Sequence, residues 1–177
     1  DKAEGGNQIS FQEAVQTAEE SEGQIALDPN ALNPAFDYYY DEKDVLHHVW
    51  FLNAVSTYNQ MVDAASIAPR GYALWRLGSE DPSVWSVFGR RKKVDRKSAL
   101  SLSTLHYGYD LDYEGKGEVL KVAATPKDGH RQLRFDEEKG LIVEDRLLSF
   151  PSPYVIERWG GNDSKKVALT FDDGPDP

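Results

Sequence analysis

Two adjacent carboxylates near the C-terminal end, Asp172 and Asp173, are the side chains whose type and spacing best suit catalysis. They follow the apolar run 167–171, which predicts a strand, and they precede a Gly-Pro turn. Neighbouring carboxylates at a strand end can divide the work, one holding a divalent metal while the other takes a proton from metal-bound water. Asp, Gly and Pro are also ordinary turn residues, so this turn alone is weak support for such chemistry.

The complete string over residues 167–175 is more specific. It reads Val-Ala-Leu-Thr-Phe-Asp-Asp-Gly-Pro and resembles the first motif of the NodB-homology polysaccharide deacetylases. The resemblance implies that Asp172 is the general base and that Asp173 is a ligand of a divalent metal, zinc or similar. It also implies two His ligands one helical turn apart, and the four His residues include no such pair. We therefore expect this chain by itself to bind no metal and to be inactive.

A second resemblance involves aromatic residues in the first half of the chain. Residues 46–54 read Leu-His-His-Val-Trp-Phe-Leu-Asn-Ala, and residues 71–82 read Gly-Tyr-Ala-Leu-Trp-Arg-Leu-Gly-Ser-Glu-Asp-Pro. Both resemble the C-terminal strands of family 18 glycoside hydrolases and their envelope relatives. In that family the Trp of the eighth strand forms the floor of the sugar subsite, so the resemblance implies that Trp75 binds substrate. Core packing is the alternative for Trp75 and the preferred interpretation for Trp50.

Together, the two resemblances imply a fragment of a bacterial multidomain envelope protein. Such proteins join a family-18-like domain to a deacetylase domain, often with a family 2 glycosyltransferase domain. The implied partner is an N-acetylated polysaccharide or a peptidoglycan-type glycan, and the implied location is the bacterial cell envelope or outside the cytoplasm. The alternative from another class is a non-catalytic module that binds glycan or positions neighbouring domains.

The acids Asp110, Asp112 and Glu114 look like the Asp-x-Asp-x-Glu core of the family 18 catalytic motif. Strand alternation would place all three on one face, as glycoside hydrolysis requires. In the family, however, this motif lies far upstream of the Trp strand, whereas here it follows Trp75. We therefore interpret the acids as the polar face of an exposed strand. An unrelated small hydrolase would gain support only if they lined a pocket together with Trp75.

Periodicity along the chain predicts two kinds of architecture. A capping box at Ser10 predicts a helix over residues 11–21, and apolar or aromatic runs predict strands over 25–28, 38–40, 45–52 and 72–77. A second helix is predicted around Tyr58, and Asp81 with Pro82 predicts the start of a short third one. Helices that alternate with strands, as in the first half of the chain, are typical of parallel α/β layers. In residues 99–158 the side-chain pattern has a period of two and no helical period, which predicts antiparallel strands.

The predicted fold class is therefore α/β: the C-terminal portion of a (β/α)₈-like barrel followed by a small antiparallel β-rich region. The domain boundaries follow the motifs. Residues 1–89 are the barrel part, residues 90–164 are a β-rich connector, and residues 165–177 are the first strand of a NodB-type deacetylase. Open barrel edges also lead us to expect a homodimer.

Composition excludes several classes of protein. The chain has 177 residues, no cysteine and a net charge of −10. A complete (β/α)₈ barrel needs about 250 residues, so the chain is too short for one. The acidic balance argues against nucleic acid as a partner, because phosphate binding relies on Lys and Arg. The absence of cysteine excludes disulfide frameworks and thiolate zinc sites. No stretch approaches the roughly 18 apolar residues of a membrane span.

Overall fold

The structure, a computed structural model, describes residues 6–40, 45–89, 94–107 and 111–161. Within these ranges the helices are α1 (Phe11–Glu20), α2 (Ala54–Ala64) and α3 (Arg96–Ser101), with 3₁₀ helices at Ala65–Ile67 and Pro82–Ser86. The strands are β1 (Ala26–Leu27), β2 (Pro34–Tyr40), β3 (Val45–Trp50), β4 (Thr104–Leu105), β5 (Leu111–Gly115), β6 (Val119–Ala124), β7 (Gly129–Asp136), β8 (Leu141–Ser149) and β9 (Tyr154–Trp159). In this part of the chain no helix is long and apolar enough to cross a membrane.

Helix α1 forms where the sequence predicts it. The Ser10 hydroxyl accepts a hydrogen bond from the Glu13 amide at 3.1 Å, and the Glu13 carboxylate accepts one from the Ser10 amide at 2.6 Å. The bond from the Ser10 amide lowers the pKa of Glu13 below its ordinary value. The helix buries one apolar stripe, formed by Phe11, Ala14, Val15 and Ala18. The capping box and the apolar spacing together therefore specify this helix.

The first sheet corrects the predicted fold class. Its strands follow the order β1-β2-β3, and both pairs are antiparallel. Parallel strands need a crossover connection of about a dozen residues or more, whereas only residues 41–44 separate β2 from β3. A connection this short favours a hairpin. The prediction of parallel strands was therefore wrong, and a portion of a (β/α)₈ barrel is not supported.

The predicted strand over residues 72–77 is also absent. Residues 71–80 form an irregular surface loop in which Tyr72, Trp75 and Leu77 are exposed. The aromatic and apolar content of the loop suggested a buried strand, but no strand of the first sheet pairs with it. We therefore find no equivalent of a final barrel strand in this loop. The expected homodimer was based on barrel edges and stays a prediction.

The second half of the chain is β-rich, as predicted, but not uniformly antiparallel. Strands β4, β7 and β8 form an antiparallel second sheet. In the third sheet, of order β5-β9-β6, strand β9 is antiparallel to β6 and parallel to β5. The chain between β5 and β9 runs through β6, β7 and β8, so its length permits the parallel pairing. Helix α3 extends into the region that was expected to contain only strands.

Two hydrophobic clusters hold the first and second sheets and the helices together. One contains Tyr58 of α2 together with Leu102 and Ile142, all essentially inaccessible to solvent. The other combines Phe11 of α1 and Phe36 of β2 with Leu105 of β4. Each cluster thus joins residues before position 89 to residues after it. The two segments share their core, while the domain boundaries drawn from the motifs stay predictions.

A buried ionic cluster, formed by Asn53, Asp81, Arg131 and Asp145, joins the two halves. The Arg131 guanidinium donates to Asp81 at 3.1 Å and to Asp145 at 3.5 Å, and its side chain is 2% exposed. Asn53 donates from its amide to the Asp145 carboxylate at 2.9 Å. Burial raises the pKa of Asp145, and attraction to Arg131 offsets that effect only in part. One cation therefore faces two buried carboxylates.

Within that cluster, Asp81 positions two helices. Its carboxylate accepts hydrogen bonds from the first amide of α2, at Ala54, and from Ser83 in the 3₁₀ helix, at 2.9 and 2.8 Å. The sequence correctly predicts the second role, since Asp81 is the N-cap residue of that helix. By tying α2 to the 3₁₀ helix, Asp81 fixes the two elements on either side of the loop 71–80.

Candidate functional site

A groove of about 600 Å³ lies beside the end of β3, helix α2 and the loop 71–80. We call it the tryptophan groove. Its lining includes Trp50, Thr57, Gln60, Trp75, Glu80 and Asp81. Ligand pockets in proteins are commonly 300–1,000 Å³, so this volume suits a small or extended ligand. The groove is bounded by the elements that Asp81 ties together.

Trp75, the predicted substrate-binding residue, lies in the loop rather than on a strand. Its side chain is 87% exposed and lines the tryptophan groove. The loop is held to α2 by the Tyr72 hydroxyl, which donates to the Met61 carbonyl at 3.3 Å. The Gly78 amide donates to the Glu80 carboxylate at 2.5 Å and closes the end of the loop. The core alternative for Trp75 is therefore wrong, and its role in binding stays a prediction.

Trp50 is the residue that the sequence interpretation missed. It is the last residue of β3, is 65% exposed and lines the same groove as Trp75. Its ring stacks on His48 with 5.6 Å between ring centroids. Phe51, the next residue, is buried in a core cluster. Successive side chains at the end of a strand point to opposite faces, so the buried Phe51 and the exposed Trp50 lie on opposite sides; from the sequence, this alternation indicates only that the two adjacent aromatic residues are not both in the core.

Polar groups complete the groove. Asn7, Gln8 and Gln60 are exposed and supply amide donors and acceptors, and Thr57 adds a hydroxyl. No Lys, Arg or His is found among the lining side chains that the structure describes. The Asp81 carboxylate is already engaged by two backbone amides and Arg131. The arrangement offers flat aromatic faces next to neutral hydrogen-bonding groups.

Of the other acids predicted from the sequence, the structure describes Asp112 and Glu114, and neither of them lines the tryptophan groove. Asp172 and Asp173 lie outside the described residues, as does Asp110. Asp112 lines a separate depression of about 300 Å³ next to α1, and Glu114 is exposed on the third sheet. Since neither Asp112 nor Glu114 lines the groove with Trp75, the condition set for an unrelated hydrolase is not met by these two acids.

His47 and His48 point to opposite faces of β3, as alternation predicts. The His47 ring stacks on Tyr38 with 4.9 Å between centroids, whereas the His48 imidazole pairs with the Asp37 carboxylate at 2.7 Å. Across the described part of the chain, no three His, Cys, Asp or Glu side chains are grouped so that they could hold a metal ion. The described residues therefore provide no ligand set for the divalent metal that the NodB resemblance implies for a longer protein.

Comparisons with known proteins found no relative of this chain. No protein-family model, no curated protein and no solved structure matches this chain. The resemblances to the family 18 glycoside hydrolases and to the NodB-homology deacetylases therefore rest on the motifs alone.

Proposed function

We propose that the described part of this chain is a non-catalytic glycan-binding module and that the tryptophan groove binds N-acetylated polysaccharide. The observation that carries the proposal is the placement of two exposed tryptophans, Trp50 and Trp75, on one groove. Sugar rings present C–H faces that pack on an indole ring, while their hydroxyl and acetamido groups need hydrogen-bonding partners. The amides of Asn7, Gln8 and Gln60 supply such partners.

The state of the two groove acids favours binding over hydrolysis. A glycosidase needs a carboxylate that can protonate the leaving group and a second one acting on the sugar or on water. Here Asp81 is buried and paired with Arg131, and Glu80 accepts a hydrogen bond from a backbone amide of the loop. Both carboxylates support the walls of the groove. A wall fixed in this way presents a preformed site, which lowers the entropy lost on binding.

A second candidate function, metal-dependent deacetylation, is favoured by the sequence string over residues 167–175. We propose it for a longer bacterial envelope protein in which Asp172 acts as general base and Asp173 holds the metal. The remaining ligands, two His residues, would come from sequence outside this chain. In that arrangement the glycan-binding module would hold polysaccharide close to the deacetylase.

The experiment is calorimetric titration of the chain with N-acetylated chito-oligosaccharides. We expect Trp75→Ala and Trp50→Ala each to weaken binding by about tenfold or more, because each removes a stacking surface. Trp159→Ala is the matched control, since Trp159 is 53% exposed but lies on the third sheet. The control should bind like the wild type. Absence of binding by the wild-type chain, or equal affinities for all three variants, would contradict the proposal.

A further inference from the structure

The outer face of the β2–β3 hairpin carries a second group of exposed aromatic and polar side chains. The strand register pairs Ala35 with Trp50, Asp37 with His48 and Tyr39 with Leu46. The opposite face, which includes Phe36, packs into a core cluster. Alternation therefore directs Tyr39, His48 and Trp50 to the same solvent-facing side, where Tyr39 is 61% exposed.

This outer face forms one wall of another, more open depression of about 720 Å³. Its lining includes Asp37, Tyr39 and Trp50, together with the turn that follows α1. Trp50 also lines the tryptophan groove. Trp50 therefore borders both depressions.

The register gives the length of the combined surface. Tyr39 lies opposite Leu46, four residues along β3 from Trp50. At about 3.4 Å per residue, this offset is roughly 14 Å along the strand. A single sugar ring that stacks on Trp50 cannot also reach Tyr39. A ligand that contacts both rings has to be a chain of several sugars.

We infer that Asp37, Tyr39, His48 and Trp50 form a second sugar subsite, here called the hairpin subsite, which continues the tryptophan groove and selects polymeric glycan over short oligosaccharides. This inference rests on the proposed function. Tyr39 supplies a stacking face, and the exposed Asp37–His48 pair supplies a carboxylate acceptor and an imidazole for sugar hydroxyls. A glycan chain that extends past Trp50 contacts the tryptophan groove on one side of this residue and the hairpin subsite on the other.

The test measures affinity as a function of oligosaccharide length, from an N-acetylated disaccharide to a hexasaccharide or longer. For the wild-type chain we expect at least about tenfold tighter binding of the long ligand, because the second set of contacts forms within one complex. Tyr39→Ala should abolish that gain without changing disaccharide affinity. Tyr39→Phe keeps the ring and should keep the gain, which separates stacking from loss of folding.

The possible results test the hairpin subsite separately from glycan binding by the tryptophan groove, on which it rests. If the disaccharide binds and Trp75→Ala weakens it, but Tyr39→Ala keeps the full length gain, the hairpin subsite is wrong and the groove stands. Equal affinity of short and long ligands for the wild-type chain would also overturn the subsite. If no N-acetylated oligosaccharide of any length binds, both the groove and the subsite are wrong.

Discussion

Apolar side chains are buried in the packed body of the molecule, whereas they are exposed on its third sheet. The body, formed by the helices and the first two sheets, surrounds its two hydrophobic clusters and the buried ionic cluster. In the third sheet the register aligns Tyr113, Ile156 and Val122 on one face. Tyr113 and Val122 are 49% and 53% exposed, so the described residues leave this face largely open.

The difference shows why exposed aromatic residues do not have the same meaning in both regions. In the body, Trp50 and Trp75 line a groove whose edges are fixed by buried residues such as Asp81. The apolar face of the third sheet carries Tyr113, with the Arg158 guanidinium 4.8 Å from its ring centroid. Cavity shape and neighbouring polar groups, rather than aromatic exposure alone, make the groove the candidate ligand site.

The largest expected effect comes from removing the cation of the buried ionic cluster. Arg131→Met leaves the Asp81 and Asp145 carboxylates buried without their partner, which we expect to lower the free energy of unfolding by about 3–5 kcal/mol. Urea unfolding followed by tryptophan fluorescence measures this change. Arg134 lies on the same strand with a 65% exposed side chain, so Arg134→Met should change stability by no more than about 1 kcal/mol. Equal losses for both variants would show that the cluster does not hold the body together.

The cost of a Leu→Ala substitution in each region compares the packing of the body with that of the third sheet. Leu102 is fully buried in the body, whereas Leu120 is 58% exposed on the apolar face of the third sheet. Leu102→Ala should lower the free energy of unfolding by about 2–5 kcal/mol, because it leaves a cavity in a packed core. Leu120→Ala should cost less than about 1 kcal/mol. A similar cost for Leu120→Ala would mean that the face is covered in solution, for example by a second copy of the chain, and size-exclusion chromatography would test for such a dimer.

A smaller effect is expected in the pH dependence of stability. Burial raises the folded-state pKa of Asp145, so the folded protein binds the Asp145 proton more tightly than the unfolded chain. Stability from this residue is therefore fully present below the ordinary Asp pKa of about 3.9 and is lost as the pH rises through the folded-state value. Asp145→Asn removes this titration. The stability of the wild type relative to Asp145→Asn should fall as the pH rises, measured by urea unfolding at several pH values, whereas a constant difference would contradict the raised pKa.

Local signals in the sequence predicted the local structure well. Ser10 and Glu13 specified the start of α1, and Asp81 with Pro82 specified the start of the 3₁₀ helix, because caps depend on residues two or three positions apart. The antiparallel hairpin was predictable too, from the four-residue connection between β2 and β3. The alternation of helices and strands in the first half instead favoured parallel strands, and the length of the connection should have overruled it.

Contacts between residues that are far apart in the sequence could not be predicted from these local signals. The Asp81–Arg131 contact joins residues 50 positions apart, and nothing in either local sequence indicates the pairing. The loop 71–80 carries an apolar, aromatic pattern that also suits a buried strand, so its exposure depends on which strands are available as neighbours. The groove itself arises only when β3, α2 and that loop are packed together. Trp75 was therefore identified by resemblance and Trp50 was missed.

The most direct test of glycan binding follows the four tryptophan indole N–H signals by NMR during titration with an N-acetylated chito-oligosaccharide. Trp50 and Trp75 line the groove, whereas Trp159 lies on the third sheet. The indole signals of Trp50 and Trp75 should shift with ligand concentration while the Trp159 signal stays unchanged. Unchanged Trp50 and Trp75 signals at saturating ligand, or equal shifts of Trp159, would contradict the tryptophan groove as the binding site.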